Sequence, residues 1–264
     1  MTIAHTAYAP IEGTNPVKYT QKTYTAELLA RIAKANEEVL SKLELSMEHN
    51  LPVTIQSNMS LSRLAEIGAR DPDLAWPVFQ ALWKELTASS AKQQRPPVLL
   101  TVDGLAHISR LSEYLAPSMH YIHSHDLILV DHVISYLSGA KPLPNGGMVL
   151  GIDSRSNRPS SPSLDLAIQQ SEIRKKTGKT DLPLYDIDSP YDRIDDRVVA
   201  TMRSVDVMRV KGFSREETRI MLEYYAKSGM LRSTVTDMLV NERWTVSGGG
   251  IIAELERGSV RNGM

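Results

Sequence analysis

A chain of 264 residues can bury a substantial core, as one domain or as one domain with a small appendage. Its 30 Lys and Arg against 31 Asp and Glu leave a formal net charge of -1, without the basic excess of a free-standing nucleic-acid binder. The absence of cysteine excludes disulfides, thiolate catalysis and Cys-based zinc sites, and no apolar run approaches the ~20 residues that cross a bilayer.

The first basic residue is Lys18, so the opening "MTIAHTAYAPIEGTNP" has neither an Arg-rich nor a secretory leader, and its two prolines, Gly13 and Asn15 predict an irregular start. "TAELLARIAKANEEVLSKL" has helical periodicity: Leu29, Ile32, Ala33, Leu40 and Leu43 share a face. Thr25 is its expected cap, and Glu38 with Lys42 an expected i,i+4 ion pair. Ser60 and Asp71-Pro72 mark two further helix starts, the second interrupted by Pro77. Punctuation from Gln93 to Pro97 then precedes "VLLTVDG", a run of buried type that climbs to a single carboxylate, Asp103.

"SHDLILVDHVISYLSG" reads as a helix apolar nearly all round, stopped by Gly139. The turn "KPLPNGG" leads into a second short buried strand, "MVLGID", and the Ser-, Pro- and Arg-rich "SRSNRPSSPS" leads into a helix that Ser163 would cap. Strand, helix, strand, loop, helix is the rhythm of a parallel α/β sheet. From about Asp188 the texture changes. A capping box, Ser214 with Glu217, opens a helix that ends near Gly229, and "ERWTVSGGG" precedes a last amphipathic run. The organisation expected is an α/β core over 1–188 and a small, mostly helical domain over 189–264, for which a winged helix is one candidate form.

Asp103, at the end of an apolar strand, sits where nucleotide-binding α/β proteins place a carboxylate that holds Mg²⁺ through water. Ser154 and Asn157, just past the second strand, are the polar partners expected near the last phosphate. The plainer reading is a strand-end Asp that caps a turn. No G-x-x-x-x-G-K-[ST] loop is present to cradle phosphates, and Gly104 follows Asp103, so no side chain there can act as a base. Hydrolysis is therefore not expected. His120, His123, His125, Asp126 and His132 carry metal-ligand chemistry but straddle an expected helix start, where capping and polar contacts explain them better. Ser124, His125 and Asp126 are a triad only on paper, since adjacent side chains diverge. Arg155, Arg158 and the run Arg174, Lys175, Lys176, Lys179 are contacts to phosphate, RNA or an acidic partner at best and a solvated charged face by default.

"IHSHDLILVDHVISYLSG", "LPNGGMVLGIDSRSN" and "YYAKSGMLR…ERWTVSGGGIIAELERG" resemble the death-associated protein three family over nearly the whole chain, and residues 7–43 resemble its fungal branch. The resemblance implies a P-loop NTPase core of AAA+ type, incomplete in this chain, with a helical C-terminal domain. It implies a structural, non-catalytic role in the mitochondrial small ribosomal subunit, among its proteins and rRNA and near the large-subunit interface, with neither membrane nor DNA as partner. Asp103 would match the Mg²⁺-organising aspartate, and Ser154 to Asn157 the sensor-like segment, for GTP or ATP with Mg²⁺. The family's phosphate-binding loop and mitochondrial presequence are expected upstream of Met1, so stable nucleotide binding by this chain is not expected. A GTPase or ATPase switch and an apoptosis-linked adaptor are the alternatives.

Overall fold

The computed structural model describes residues 7–88, 94–154, 158–178 and 194–260. They form a mixed α/β protein divided by its contacts into two compact units. One unit comprises the described parts of Met1–Asp153 and Arg158–Asp206; the other comprises those of Ser154–Asn157 and Val207–Met264. The expected boundary at 188–189 lies outside the described residues.

The first unit opens not irregularly but with a small antiparallel hairpin, β1 (Ala9–Ile11) and β2 (Lys18–Thr20). Thr14 closes it: its hydroxyl donates to the Ile11 carbonyl at 3.0 Å and accepts from the Lys18 N–H at 2.8 Å. Helix α1 (Lys22–Ala35) begins earlier than expected, with Gln21 at its cap position, and a short α2 (Glu37–Leu40) follows. Thr25 is thus a buried residue within the first turn, its hydroxyl donating to the Gln21 carbonyl at 2.8 Å. Glu38 and Lys42 do pair, at 3.6 Å.

Ser60 caps α3 (Leu61–Arg70) by accepting from the Arg63 N–H, and Asp71 caps α4 (Pro72–Leu86) by accepting from Asp73. Pro72 occupies the first turn of α4, where its missing N–H costs nothing, and the helix continues through Pro77. Leu29 of α1, Leu61, Leu64 and Ala65 of α3, and Ala75, Val78 and Leu82 of α4 are sealed from water, giving the unit an all-helical core. Gly68 permits the closest approach: a Cβ there would lie 2.6 Å from Leu29 Cδ1 and 2.8 Å from Val78 Cβ.

The predicted strands form a parallel pair, β3 (Val98–Asp103) and β6 (Gly147–Ile152). Between them lie α5 (Leu105–Ile108), the hairpin β4 (Leu111–Leu115) and β5 (Tyr121–His123), a single 3-10 turn (Ser124–Asp126) and the buried helix α6 (Ile128–Leu137). Helix α6 ends ahead of Gly139, as expected. The helix expected from Ser124 starts instead at Ile128, after the 3-10 turn, and the β4–β5 hairpin lies ahead of it. Nor are β3 and β6 buried strands. Among the described residues they form a two-stranded sheet, and one of its faces is open to water.

Helix α7 (Pro162–Thr177) takes Ser161, not Ser163, as its cap residue, because Pro162 fits the first helical position. The Ser163 hydroxyl instead accepts from the Asp195 N–H at 2.7 Å, beside α8 (Asp196–Met202).

The second unit contains α9 (Arg215–Lys227), α10 (Asp237–Val246) and α11 (Ile252–Ser259), with no strand among its described residues. Leu222, Tyr225, Leu231, Val240 and Leu255 form its core. The expected capping box is present in full: Ser214 accepts from the Glu217 N–H, and the Glu217 carboxylate accepts from the Ser214 N–H at 2.7 Å. "ERWTVSGGG" closes on the segment before α9. The Trp244 indole N–H donates to the Phe213 carbonyl at 2.8 Å, the Phe213 N–H donates to Gly250, and the Arg215 guanidinium lies 4.8 Å from the Trp244 ring centre.

Candidate functional site

The carboxyl ends of β3 and β6 are where an open parallel sheet offers a ligand site. Asp103 and Ile152 are register partners there. Asp103 is exposed, and no side chain of the described residues engages its carboxylate. Gly104 follows with φ 73° and ψ 47°, a left-handed turn into α5, and a Cβ would stand 3.1 Å from the His107 ring. Glycine at 104 therefore serves the turn as well as leaving the position without a base.

Asp153, the next residue after β6, was not foreseen and is the more engaged carboxylate. It accepts from the Ala106 N–H at 3.3 Å, and Arg158 bridges it at 3.0 Å to Asp165 at 2.5 Å. Its position immediately before Ser154 in a strand-end "GID" was the available signal. Burial lowers the basicity of Arg158, but hydrogen bonds and charge from Asp165 and Asp153 outweigh it and raise its pKa. Ser154 is exposed and groups with the second unit. Asn157 lies outside the described residues, as do Arg155 and Lys179. Of the basic run, Arg174 donates to the Arg203 carbonyl and Lys175 pairs with Asp206 at 2.6 Å.

His123 and His125 lie together, their ring centroids 4.6 Å apart, while His120 and His132 stand in other settings. His120 is exposed beside Ser118. His123 accepts the His125 N–H at Nδ1 and turns Nε2 to 3.1 Å from Asp195, without the alignment of a hydrogen bond. Asp126 faces Lys18 at 3.6 Å and Arg197 at 3.3 Å. His132 sits among aromatic rings, with centroids 4.9 Å from Trp83, 5.0 Å from Tyr136 and 5.1 Å from Phe79. Burial pushes His125 and His132 down to about 4; His123 is lowered by burial and by the Arg197 charge. Among the described residues no three His, Asp or Glu converge as a metal site.

Residues 1–258 match the family described as mitochondrial ribosomal death-associated protein 3. The chain belongs to that family. It is 47% identical to the small ribosomal subunit protein mS29 of Neurospora crassa over 262 residues, covering 98% of this chain and 54% of the relative. The mS29 protein of Schizosaccharomyces pombe is 24% identical over 227 residues, covering 84% of this chain and 43% of the relative. The chain thus spans about half the length of the curated relatives it matches.

Among the described residues, the most elaborate polar cluster in this member of the death-associated protein 3 family is internal. Glu85 of α4 is fully buried, and its carboxylate accepts from the Ser46 hydroxyl at 2.6 Å, the Ser46 and Met47 N–H groups, His49 Nε2 at 2.8 Å and Arg95 at 2.6 Å. Burial raises the Glu85 pKa, but the hydrogen bonds from Ser46, His49 and Met47 outweigh it and leave the group below its ordinary value. Arg95 also donates to the Glu44 carbonyl at 2.6 Å, so the cluster ties the α2–α3 connection to the segment entering β3. One signal could have exposed it: Glu85 lies three residues after Leu82, on the apolar face of its helix. A groove of about 370 Å³ beside Arg95, lined in part by Glu38, Val39, Lys42 and Leu43, does not include Asp103.

Proposed function

We propose that the chain is a structural constituent of the mitochondrial small ribosomal subunit, held by contacts with ribosomal proteins and rRNA. The observation that carries this reading is the family match over residues 1–258, and both relatives bear small-subunit names. Its location is the mitochondrion. The balance of 30 basic and 31 acidic residues favours predominantly protein contacts over deep embedding in rRNA. A non-catalytic role is supported by Gly104 after Asp103, which leaves that position without a side chain to act as a base. In a sucrose gradient of mitochondrial lysate, the protein tagged at its native locus is expected in the small-subunit fraction; recovery only at the top of the gradient contradicts this role.

A second reading, an AAA+-like nucleotide-binding core inherited from a P-loop NTPase, rests on the parallel β3–β6 pair with the exposed Asp103 at its carboxyl end. In that reading Asp103 organises Mg²⁺ through water, and Ser154 and Asn157 stand near the terminal phosphate of GTP or ATP. Fluorescent GTP and ATP analogues titrated with Mg²⁺ into the chain test it. Saturable binding lost in Asp103→Ala supports this reading, and the absence of binding contradicts it for this chain.

A further inference from the structure

Three arginines of the second unit are committed to its fold. Arg219 pairs with Asp237, Arg257 pairs with Glu254 at 3.1 Å, and Arg243 donates to the Gly258 carbonyl at 2.7 Å. Arg215 is different. It is exposed, its guanidinium lies 4.8 Å from the Trp244 ring centre, and no carboxylate among the described residues pairs with it. Of the acidic residues beside it, Glu217 is turned back onto the Ser214 N–H at 2.7 Å and Glu216 is exposed.

The support beneath Arg215 is fixed from two sides. The Trp244 indole N–H donates to the Phe213 carbonyl, and the Phe213 N–H donates to the Gly250 carbonyl, both at 2.8 Å. Gly212 and Gly250 let the two segments touch, since a Cβ at either would collide with the backbone of the other. Residues 211–215 are thereby pinned to the 244–250 loop, with Lys211 at one end and Arg215 at the other. Lys211 is exposed and likewise has no ion pair among the described residues. From Val207 to Arg215 the chain carries Arg209, Lys211 and Arg215 and no carboxylate.

We infer that the Arg215–Trp244 pair is a platform for an unstacked base of single-stranded RNA, with Lys211 on a neighbouring phosphate. A guanidinium is planar and matches the face of a nucleobase, and the indole beneath it adds a cation–π contact. Every base has such a face, so the platform takes a single strand with little regard to sequence. An acidic peptide would use the charges of Arg215 and Lys211 but gain nothing from the indole, and duplex RNA offers phosphates without a free base face. The assignment rests on the ribosomal reading, which brings rRNA within reach. It asks only for a local contact, in keeping with a chain of balanced charge.

Two measurements test it. Mitochondria holding the protein tagged at its native locus are irradiated with ultraviolet light, and peptides of the purified small subunit are examined for added nucleotide mass. An adduct is expected on the peptide carrying Phe213 and Arg215 or on that carrying Trp244. Separately, the chain is titrated with a fluorescent single-stranded RNA of mixed sequence. Arg215→Lys, which keeps the charge and loses the plane, is expected to weaken binding about tenfold with an unchanged circular dichroism spectrum. Lys211→Ala is expected to weaken it less and to lower the salt dependence by about one phosphate contact. Equal affinity of Arg215→Lys and the parent chain overturns the platform. So do adduct-free peptides from a small subunit that contains the protein, and so does crosslinking of these peptides to a protein instead, while both leave the ribosomal reading standing. Absence of the protein from the small-subunit fraction removes that reading and the platform's RNA together.

Discussion

The α1–α3–α4 core and the β3–β6 sheet belong to one unit, yet they meet their burial requirement very differently. In the helical core each apolar stripe finds two others, and Leu29, Leu61, Leu64 and Val78 have no accessible surface. The sheet has an equally apolar sequence, but α5 and α6 cover only one side, so Leu99 and Met148 stand more than half exposed. Apolar content is therefore a poor guide to burial where the described helices cover only one face of the sheet. A helix exposes its satisfied backbone at little cost, whereas a parallel strand needs neighbours on two faces and two edges.

The contrast can be broken at several points. Acid gives the largest expected effect. His132 packs against the α4 aromatics, His125 is buried beside His123, and both are held at about 4 by burial. Since an unfolded histidine titrates near ~6.5, the unfolded chain binds more protons between that value and about 4. Stability is then full above pH 6.5 and falls as the pH drops through this window, by on the order of 3 kcal/mol for each histidine. Urea unfolding at pH 7.5 and 4.5 measures the loss, and His132→Phe is expected to remove about half of it. Below the window the depressed carboxyls of Glu85 and Asp195 add to the loss as they protonate.

Next is Glu85→Ala, which leaves the buried Arg95 charge without its carboxylate and removes the acceptor of the Ser46 and Met47 N–H groups. A cost of about 3–5 kcal/mol is expected in denaturant unfolding, with Arg95→Met in the same chain restoring part of it. Leu64→Ala in the helical core is expected to cost about 2–5 kcal/mol, whereas Leu99→Ala on the bare face stays within about 0.5 kcal/mol. Equal costs at the two leucines, measured in the same way, would erase the distinction between the regions.

Much of this architecture was legible because its signals are local. Ser60, Asp71 and the Ser214–Glu217 box each satisfy backbone N–H groups within three residues, and each caps the helix it was expected to cap. The parallel pair followed from the strand–helix–strand rhythm. Thr25 and Ser163 were misplaced because Lys22 and Pro162 start their helices earlier, leaving both hydroxyls inside the first turn. The β1–β2 and β4–β5 hairpins escaped notice because strands of three to five residues carry little periodicity. The Glu85 cluster was invisible for another reason: its partners Ser46, His49 and Arg95 converge only once α4 has packed. At the candidate site, Asp103 was found at the expected strand end, but its exposure depends on which layer covers the sheet, and no local pattern encodes that.

Hydrogen–deuterium exchange of the isolated chain compares the two regions most directly, because protection follows the free energy of local opening. The amides of residues 98–103 and 147–152 are predicted to exchange at least tenfold faster than those in the middle turns of α3 and α4. Equal protection in the sheet and the helical core would contradict the account.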